Sequence, residues 1–154
     1  MARLMRRCLL LSSLLLMAVV AEAGTFLLPL AGRQQYSVLI RARGVELTGV
    51  CIIKTDSVGD SRGAIVNEFG IHALDFTLSA DRRRVRLQNV MPQMDRWYIR
   101  RVVRSDLRLL FGATAAGERK GRRTVTQDAD GTLTLTNTRY NITYSLKKID
   151  DSQR

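Results

Sequence analysis

The sequence predicts a mainly β protein of the α+β class, in which a curved antiparallel sheet or half-barrel of about seven to nine strands is covered by one main helix. Short segments with an apolar residue at every second position recur along the chain, separated by turn residues. The segment 95–111 instead has the three-and-four spacing of an amphipathic helix. Because strands and helices do not alternate along the chain, a parallel sheet of strand–helix–strand units is excluded.

The first 23 residues are typical of a secretory signal peptide. Three arginines come first, an apolar run from Cys8 to Val20 follows, and an A-x-A cleavage site occupies 21–23. The run is shorter than the ~20 apolar residues that a membrane-spanning helix needs. We therefore predict an exported protein, located in the periplasm, with a single β-rich domain over 24–149 and a polar tail over 150–154.

Export changes what the charge and the cysteines imply. Cleavage removes three arginines and one glutamate, so the formal net charge falls from +11 to +9. For an exported protein this basic excess favours anionic lipid headgroups or acidic partners over nucleic acid. Cleavage also removes Cys8 and leaves a single cysteine, Cys51, so an internal disulfide is excluded. The apolar neighbours of Cys51 in the sequence favour its interpretation as a small buried core residue.

The first half of the domain predicts a meander of five strands. Glycine, aspartate and serine stand between these strands, as is usual in tight turns. Pro29 keeps the lead-in 24–32 from forming a helix interior, so we expect an edge strand or a tucked-in terminal segment there. The NEFG sequence at 67–70 is expected to form a tight corner. The predicted strands are 35–43, 45–55, 64–69, 71–79 and 85–89.

The helix predicted over 95–111, DRWYIRRVVRSDLRLLF, has an apolar face and a basic one. The apolar face consists of Ile99, Val102, Val103, Leu107 and Leu110. Arginines follow one another at steps of four, and each step advances about 40° around the helix, which gives a slowly winding basic stripe. Asp95 is expected to cap the first turn. Since an antiparallel sheet needs its apolar face covered, this helix is its natural cover.

The second half of the domain predicts a loop and further strands. Small and charged residues over 112–123 predict a loop without regular structure. The DADG sequence at 128–131 is a hairpin turn signal, and a strand is expected to lead into it over 124–127. Strict alternation then predicts strands over 132–136 and 140–146.

No catalytic signature is found in the sequence, so we predict no enzyme, no cofactor and no metal site. His72 is the one histidine, and its alternation with Leu74 and Phe76 predicts that it faces the core. One histidine and one buried cysteine are too few for a metal cluster, and no nucleophile motif accompanies them. Glu68 and Asp75 are expected to form surface salt bridges to lysine or arginine rather than an acid–base pair.

The order of elements over about residues 33–149 resembles the LolA/LolB family of lipoprotein carriers. The segments GVELTGVCIIK, NEFG and WYIRRVVRSDL contribute to this resemblance. The resemblance implies a half-barrel that binds acyl chains beneath a helical lid.

The leading functional hypothesis is an exported, monomeric, non-enzymatic protein that binds lipid acyl chains or a lipoprotein in a hydrophobic half-barrel. The predicted ligand contacts come from the sheet and the apolar side of the helix: Tyr36, Val38, Ile40, Leu74, Phe76, Leu78, Trp97, Ile99, Val103, Leu107 and Phe111. The basic stripe is predicted to contact headgroups, an anionic membrane surface or a partner: Arg96, Arg100, Arg104 and Arg108.

The alternative hypothesis is a structural or interaction module of the cell envelope. Its core would be solid, and the basic face of the helix would dock an acidic partner. A continuous apolar cavity of a few hundred Å3 favours the first hypothesis, and a filled interior favours the second.

Overall fold

Nine antiparallel strands form one open sheet, and one helix packs on it within residues 25–150, the part of the chain that our computed structural model describes. The predicted signal peptide and residues 151–154 lie outside this range. The predicted fold class, mainly β with a half-barrel sheet and a covering helix, is confirmed. The elements are β1 Arg33–Ala42, β2 Val45–Thr55, β3 Ser61–Asn67, β4 His72–Leu78, β5 Val85–Gln88, α1 Trp97–Gly112, β6 Arg119–Lys120, β7 Arg123–Gln127, β8 Leu133–Asn137 and β9 Ile142–Lys148.

The sheet is a meander whose first and last strands meet in the middle. The strand order is β5-β4-β3-β2-β1-β9-β8-β7-β6, and every neighbouring pair is antiparallel. The two edge strands, β5 and β6, are consecutive in the chain and are connected through α1. Helix α1 contacts β5 near one edge and β7 and β8 near the other, so it spans the apolar face of the sheet.

The end of the half-barrel at which α1 terminates is a packed core. The rings of Phe76 in β4 and Phe111 in α1 stack there, with centroids 5.2 Å apart and an interplanar angle of 26°. Tyr36 and Val38 of β1 are buried in the same apolar core. Gly63 makes room for the stack, since a Cβ at this position would lie 2.2 Å from the Phe76 ring. Side chains therefore fill this end of the molecule.

The lead-in segment before β1 packs against this end. It is the tucked-in terminal segment that we expected there, rather than an edge strand. The amide of Leu27 donates to the carbonyl of Ala113 (2.9 Å), just beyond α1. Arg82, in the β4–β5 turn, is buried and donates to the carbonyls of Leu28 (2.6 Å) and Phe111 (2.9 Å). Its guanidinium thus satisfies a carbonyl at the negative end of the helix while joining three separate parts of the chain.

The start of the helix differs from the prediction. Helix α1 begins at Trp97, and Arg96 is the N-cap residue, without a side-chain capping hydrogen bond. The prediction that Asp95 caps the first turn is wrong, because its carboxylate accepts a hydrogen bond from Arg100 Nη1 (2.6 Å) instead. The predicted loop over 112–123 also contains a short element, since Arg119–Lys120 pairs with β7 as strand β6.

The prediction that His72 faces the core is wrong. The register between β3 and β4 shifts at Ile65/Val66, so the alternation of β4 is interrupted and two consecutive residues, Ala73 and Leu74, are both buried. His72 is consequently exposed, with Nδ1 3.2 Å from Asp75 Oδ1. Asp75 also accepts a hydrogen bond from Asn89 (2.7 Å), so its partners are not the lysine or arginine that we predicted.

Candidate functional site

A cavity of about 630 Å3 lies between α1 and the sheet, along the helix from Tyr98 to Leu107. Most of its lining is apolar. The helix contributes Tyr98, Ile99, Val102, Val103 and Leu107, and the sheet contributes Ile40, Ala42, Leu47, Leu74, Ile142 and Tyr144. The segment between β5 and α1 adds Met91 and Met94, whose flexible side chains adapt readily to irregular shapes. The half-barrel is therefore packed at one end and hollow at the other.

The cavity has a closed floor and an open mouth. Leu74, Leu107 and Tyr144 are at most 2% exposed and lie at the floor, next to the packed core. The mouth is lined by exposed apolar side chains, namely Val45 (69% exposed), Phe69 (79%) and Tyr98 (54%). Val45 is the first residue of β2, and Phe69 lies in the turn between β3 and β4. Tyr98 lies in the first turn of α1. A ligand can thus reach the interior from this end.

The structure brings together about half of the predicted ligand contacts. Five line the cavity: Ile40, Leu74, Ile99, Val103 and Leu107. Five others lie in the packed core instead: Tyr36, Val38, Phe76, Leu78 and Phe111. Trp97 is 75% exposed and packs edge-on against Tyr98, with ring centroids 5.9 Å apart. The ten residues other than Trp97 thus lie on the interior faces of their strands and helix, as predicted, but only part of each face borders empty space.

Several lining residues were absent from the predicted site. Leu47, Phe69, Met91, Met94, Tyr98 and Val102 all border the cavity. Val102 was assigned to the apolar face of the helix, so its sequence signal was present. The two methionines belong to a segment without periodicity, and Phe69 belongs to a turn, so neither carries a pattern that indicates a lining role.

A buried polar cluster, which we call the Asp106 cluster, lies behind the floor. The carboxylate of Asp106 in α1 has no exposed surface and accepts hydrogen bonds from Arg123 Nε (2.5 Å), Asn137 Nδ2 (2.9 Å) and Tyr144 Oη (3.0 Å). Burial raises the pKa of Asp106, and the hydrogen bond and charge of Arg123, with the bonds from Tyr144 and Asn137, oppose this. The donors come from β7, β8 and β9, so the cluster fixes the helix to that half of the sheet.

The Asp106 cluster shows no sign of a reactive group. Within residues 25–150, every fully buried side-chain nitrogen and oxygen has a hydrogen-bond partner. Tyr144 turns its ring to the cavity and its hydroxyl to Asp106, and burial raises the pKa of that hydroxyl well above its ordinary value. The floor of the cavity therefore presents carbon rather than polar atoms to a ligand.

The basic stripe of the helix does not reach the cavity. Arg96, Arg104 and Arg108 are exposed on the outer side of α1. Arg100 is half-buried and holds the helix to the sheet, because Nη1 pairs with Asp95 and Nη2 donates to the carbonyl of Leu87 (3.0 Å). Charged residues at the mouth come from other elements: Arg43, Glu46 and Glu68. Of these, Glu46 pairs with Arg41 (2.8 Å).

The described residues offer no site for a metal ion or a thiolate. Between 25 and 150, no three histidine, cysteine, aspartate or glutamate side chains come together as possible metal ligands. Cys51 has no exposed surface, and burial raises the pKa of its thiol to about 12, so it stays protonated at neutral pH. In the same range, no helix has the length and hydropathy that crossing a membrane requires.

The fold and the site together define an open antiparallel half-barrel with an apolar cavity beneath a single helix. Neither a protein-family model nor a curated protein matches this chain.

Proposed function

We propose that this protein is a non-enzymatic carrier that binds the acyl chains of a lipid or a lipoprotein beneath α1. The observation that carries the proposal is the apolar cavity of about 630 Å3, open at one end. This volume lies within the range of about 300–1,000 Å3 that is usual for small-molecule sites. The mechanism is the removal of apolar surface from water, which is worth about 0.8 kcal/mol for each buried CH2 group.

The mouth of the cavity supports a membrane as the place where the ligand is exchanged. Val45, Phe69 and Tyr98 expose apolar surface around the opening, and Arg43 lies among them. Apolar side chains next to a basic residue suit the boundary between acyl chains and anionic headgroups. This agrees with the predicted export to the cell envelope and with the carrier function that the LolA/LolB resemblance implies. On this proposal the mouth, rather than the basic stripe of α1, faces the membrane.

Native mass spectrometry of protein purified without detergent from its own host tests the proposal. We expect the wild-type protein to carry lipid that copurifies with it. Val102→Glu places a carboxylate in the apolar lining, and because burying an unpaired charge is costly, bound lipid should fall at least tenfold. Arg104→Glu, on the outer side of the same helix, is the matched control and should keep its lipid. Circular dichroism and cooperative urea unfolding establish that both variants are folded.

Two outcomes would contradict the proposal. One is a wild-type protein that carries no lipid and binds no added phospholipid or fatty acid. The other is a folded Val102→Glu variant with as much lipid as the wild type, because the ligand would then lie outside the cavity.

The docking hypothesis has one observation in its favour, which is the exposed row Arg96, Arg104 and Arg108. The double variant Arg104→Glu/Arg108→Glu separates the two functions, since it leaves Arg100 and its bonds to the sheet intact. Under docking it abolishes capture of an acidic partner, whereas under carriage the amount of bound lipid is unchanged. The cavity beneath α1 is not the solid interior that docking alone predicts.

A further inference from the structure

We infer that the cavity holds two acyl chains side by side, so that the ligand is a two-chain amphiphile rather than a single-chain fatty acid. This inference rests on the proposed function and specifies its ligand. It follows from the length, the width and the polarity of the cavity.

The cavity is short compared with a biological acyl chain. Its wall on α1 runs from Tyr98 to Leu107, nine residue steps, or about 14 Å at the helical rise of 1.5 Å per residue. An extended hydrocarbon chain advances about 1.3 Å per carbon, because its bonds of about 1.5 Å zigzag. One chain therefore fits with roughly ten carbons along the cavity, and the remaining carbons of a longer chain extend to the mouth.

The cavity is too wide for one chain. A volume of about 630 Å3 over this length corresponds to a cross-section of about 45 Å2. A methylene group occupies roughly the volume of a water molecule in the liquid, about 30 Å3, which spread over 1.3 Å gives a cross-section of about 23 Å2. Two chains fill the space, and one chain leaves half of it empty. Water is a poor filler, because the floor offers it no free polar partners.

The polarity of the lining sets the orientation of the ligand. The hydroxyl of Tyr144 is directed to Asp106, and Leu74 and Leu107 complete an apolar floor. The charged lining residues Arg43 and Glu68 are at the mouth. The methyl ends therefore lie at the floor, and the headgroup that joins the chains lies among the charges at the mouth.

Two probes with the same headgroup test the number of chains. Decanoyl lysophosphatidylcholine has one chain and didecanoyl phosphatidylcholine has two, and both are used below their critical micelle concentrations on protein freed of lipid. We expect native mass spectrometry to show two molecules of the first, or one molecule of the second, per protein. Isothermal titration calorimetry gives the affinity and the stoichiometry of each probe independently of the mass spectra.

A narrowed cavity supplies the variant. Val102→Trp adds a large ring to the lining, so we expect it to lose the second single-chain molecule, to keep the first, and to bind the two-chain probe at least tenfold more weakly. Val58→Trp is the matched control, since Val58 is 78% exposed in the β2–β3 turn and borders no part of the cavity. It should bind both probes as the wild type does.

The possible failures are distinguishable. If a single one-chain molecule saturates the wild-type protein and the two-chain probe binds no more tightly, the two-chain inference is overturned while acyl-chain carriage stands. If neither probe binds, and fatty acids and longer phospholipids fail as well, the proposed function itself is overturned.

Discussion

At the scale of single residues, two buried acids remain protonated where they would ionise in an unfolded chain. Burial raises the pKa of the Cys51 thiol from 9.0 to about 12. Burial also raises the pKa of the Tyr36 hydroxyl from 10.0 to about 12, with a smaller contribution from the nearby Cys51. Both side chains are buried in the apolar core, where an ionised group loses its contact with water, and the charge of Arg82 only partly offsets this loss for Tyr36.

These two groups predict that stability falls in alkali. Because the pKa of each acid is higher in the folded state, the folded protein keeps protons that the unfolded chain loses, and the free energy of unfolding decreases as pH rises from about 9 towards 12. Urea unfolding at pH 8 and pH 11 should differ by on the order of 3 kcal/mol, with Cys51 supplying the larger part.

Cys51→Ala is the control for the alkaline prediction, because it removes one of the two titrations. The variant should be less stable at neutral pH but lose less stability between pH 8 and pH 11. An identical pH slope in the wild type and the variant would show that Cys51 ionises equally in both states.

Single residues also show what the sequence could and could not predict about the site. Periodicity correctly assigned Ile40, Leu74 and Val103 to the interior, because it reports which face of an element is apolar. Periodicity does not show where along that face the helix and the sheet cease to be in contact. Phe76 and Phe111 were therefore also predicted to be ligand contacts, although they fill the packed end. The prediction for His72 is wrong because the irregularity in the pairing of β3 with β4 is not visible in the alternation of apolar and polar residues around His72.

At the scale of elements, α1 is fastened to both halves of the sheet. On one side Arg100 donates to the carbonyl of Leu87 in β5. On the other side Asp106 receives donors from β7, β8 and β9. These attachments hold the helix above the cavity.

Asp106→Asn should therefore destabilise the protein. Burial alone favours a neutral side chain at this position, but an amide has one acceptor oxygen and two hydrogens of its own, so it cannot satisfy Arg123, Asn137 and Tyr144 together. Unpaired buried donors outweigh the gain from neutrality, and we expect the free energy of unfolding to fall by about 2–4 kcal/mol in urea titrations.

Arg104→Gln, on the exposed side of the same helix, is the comparison for Asp106→Asn. Its effect should stay within about 0.5 kcal/mol, as is usual at the surface. If Asp106→Asn is as stable as this control, the cluster does not fasten the helix.

Elements differ in how far their sequence predicts them. The long strands β1, β2 and β9 and the helix were predicted within a few residues, because each repeats its pattern over several turns or pleats. Strand β6 has two residues and no period to detect. The capping of α1 was mispredicted because Asp95 has two possible partners, and the choice of Arg100 over the helix amides depends on tertiary position.

At the scale of the whole molecule, the sheet depends on its last strand. Because β9 lies between β1 and β8, the hydrogen-bonded connection between the two halves of the sheet is made by strands from opposite ends of the described chain. Pairing strands so far apart in sequence must overcome a large loop-closure entropy, so folding should be slow for a chain of this size.

Truncation after Asn137 tests this dependence. Removing β9 leaves one edge of β1 and one edge of β8 unpaired and exposes the interior, so we expect no cooperative unfolding transition and rapid proteolysis. Adding a synthetic peptide of residues 138–150 should restore the cooperative unfolding transition and the resistance to proteolysis. A truncated chain that unfolds cooperatively by itself would show that the two halves fold independently.

The sequence predicts the overall architecture better than it predicts the cavity. Alternation, turn residues and one amphipathic helix between the fifth strand and the later ones specify a sheet covered by a helix, and the structure has this arrangement. Two of the lining residues, Ala42 and Ala73, have side chains too small to reach across the space beneath the helix. That gap depends on the spacing between α1 and the sheet, which no local pattern in the sequence encodes.

The open, apolar mouth has a practical consequence for biochemistry on this protein. Any detergent present during cell lysis has the same two parts as the proposed ligand, a hydrocarbon chain and a polar head, and is present in large excess. On the proposed function, it would compete with the lipid for the space between Tyr98 and Leu107. The test for copurifying lipid therefore requires protein released by osmotic shock or mechanical disruption.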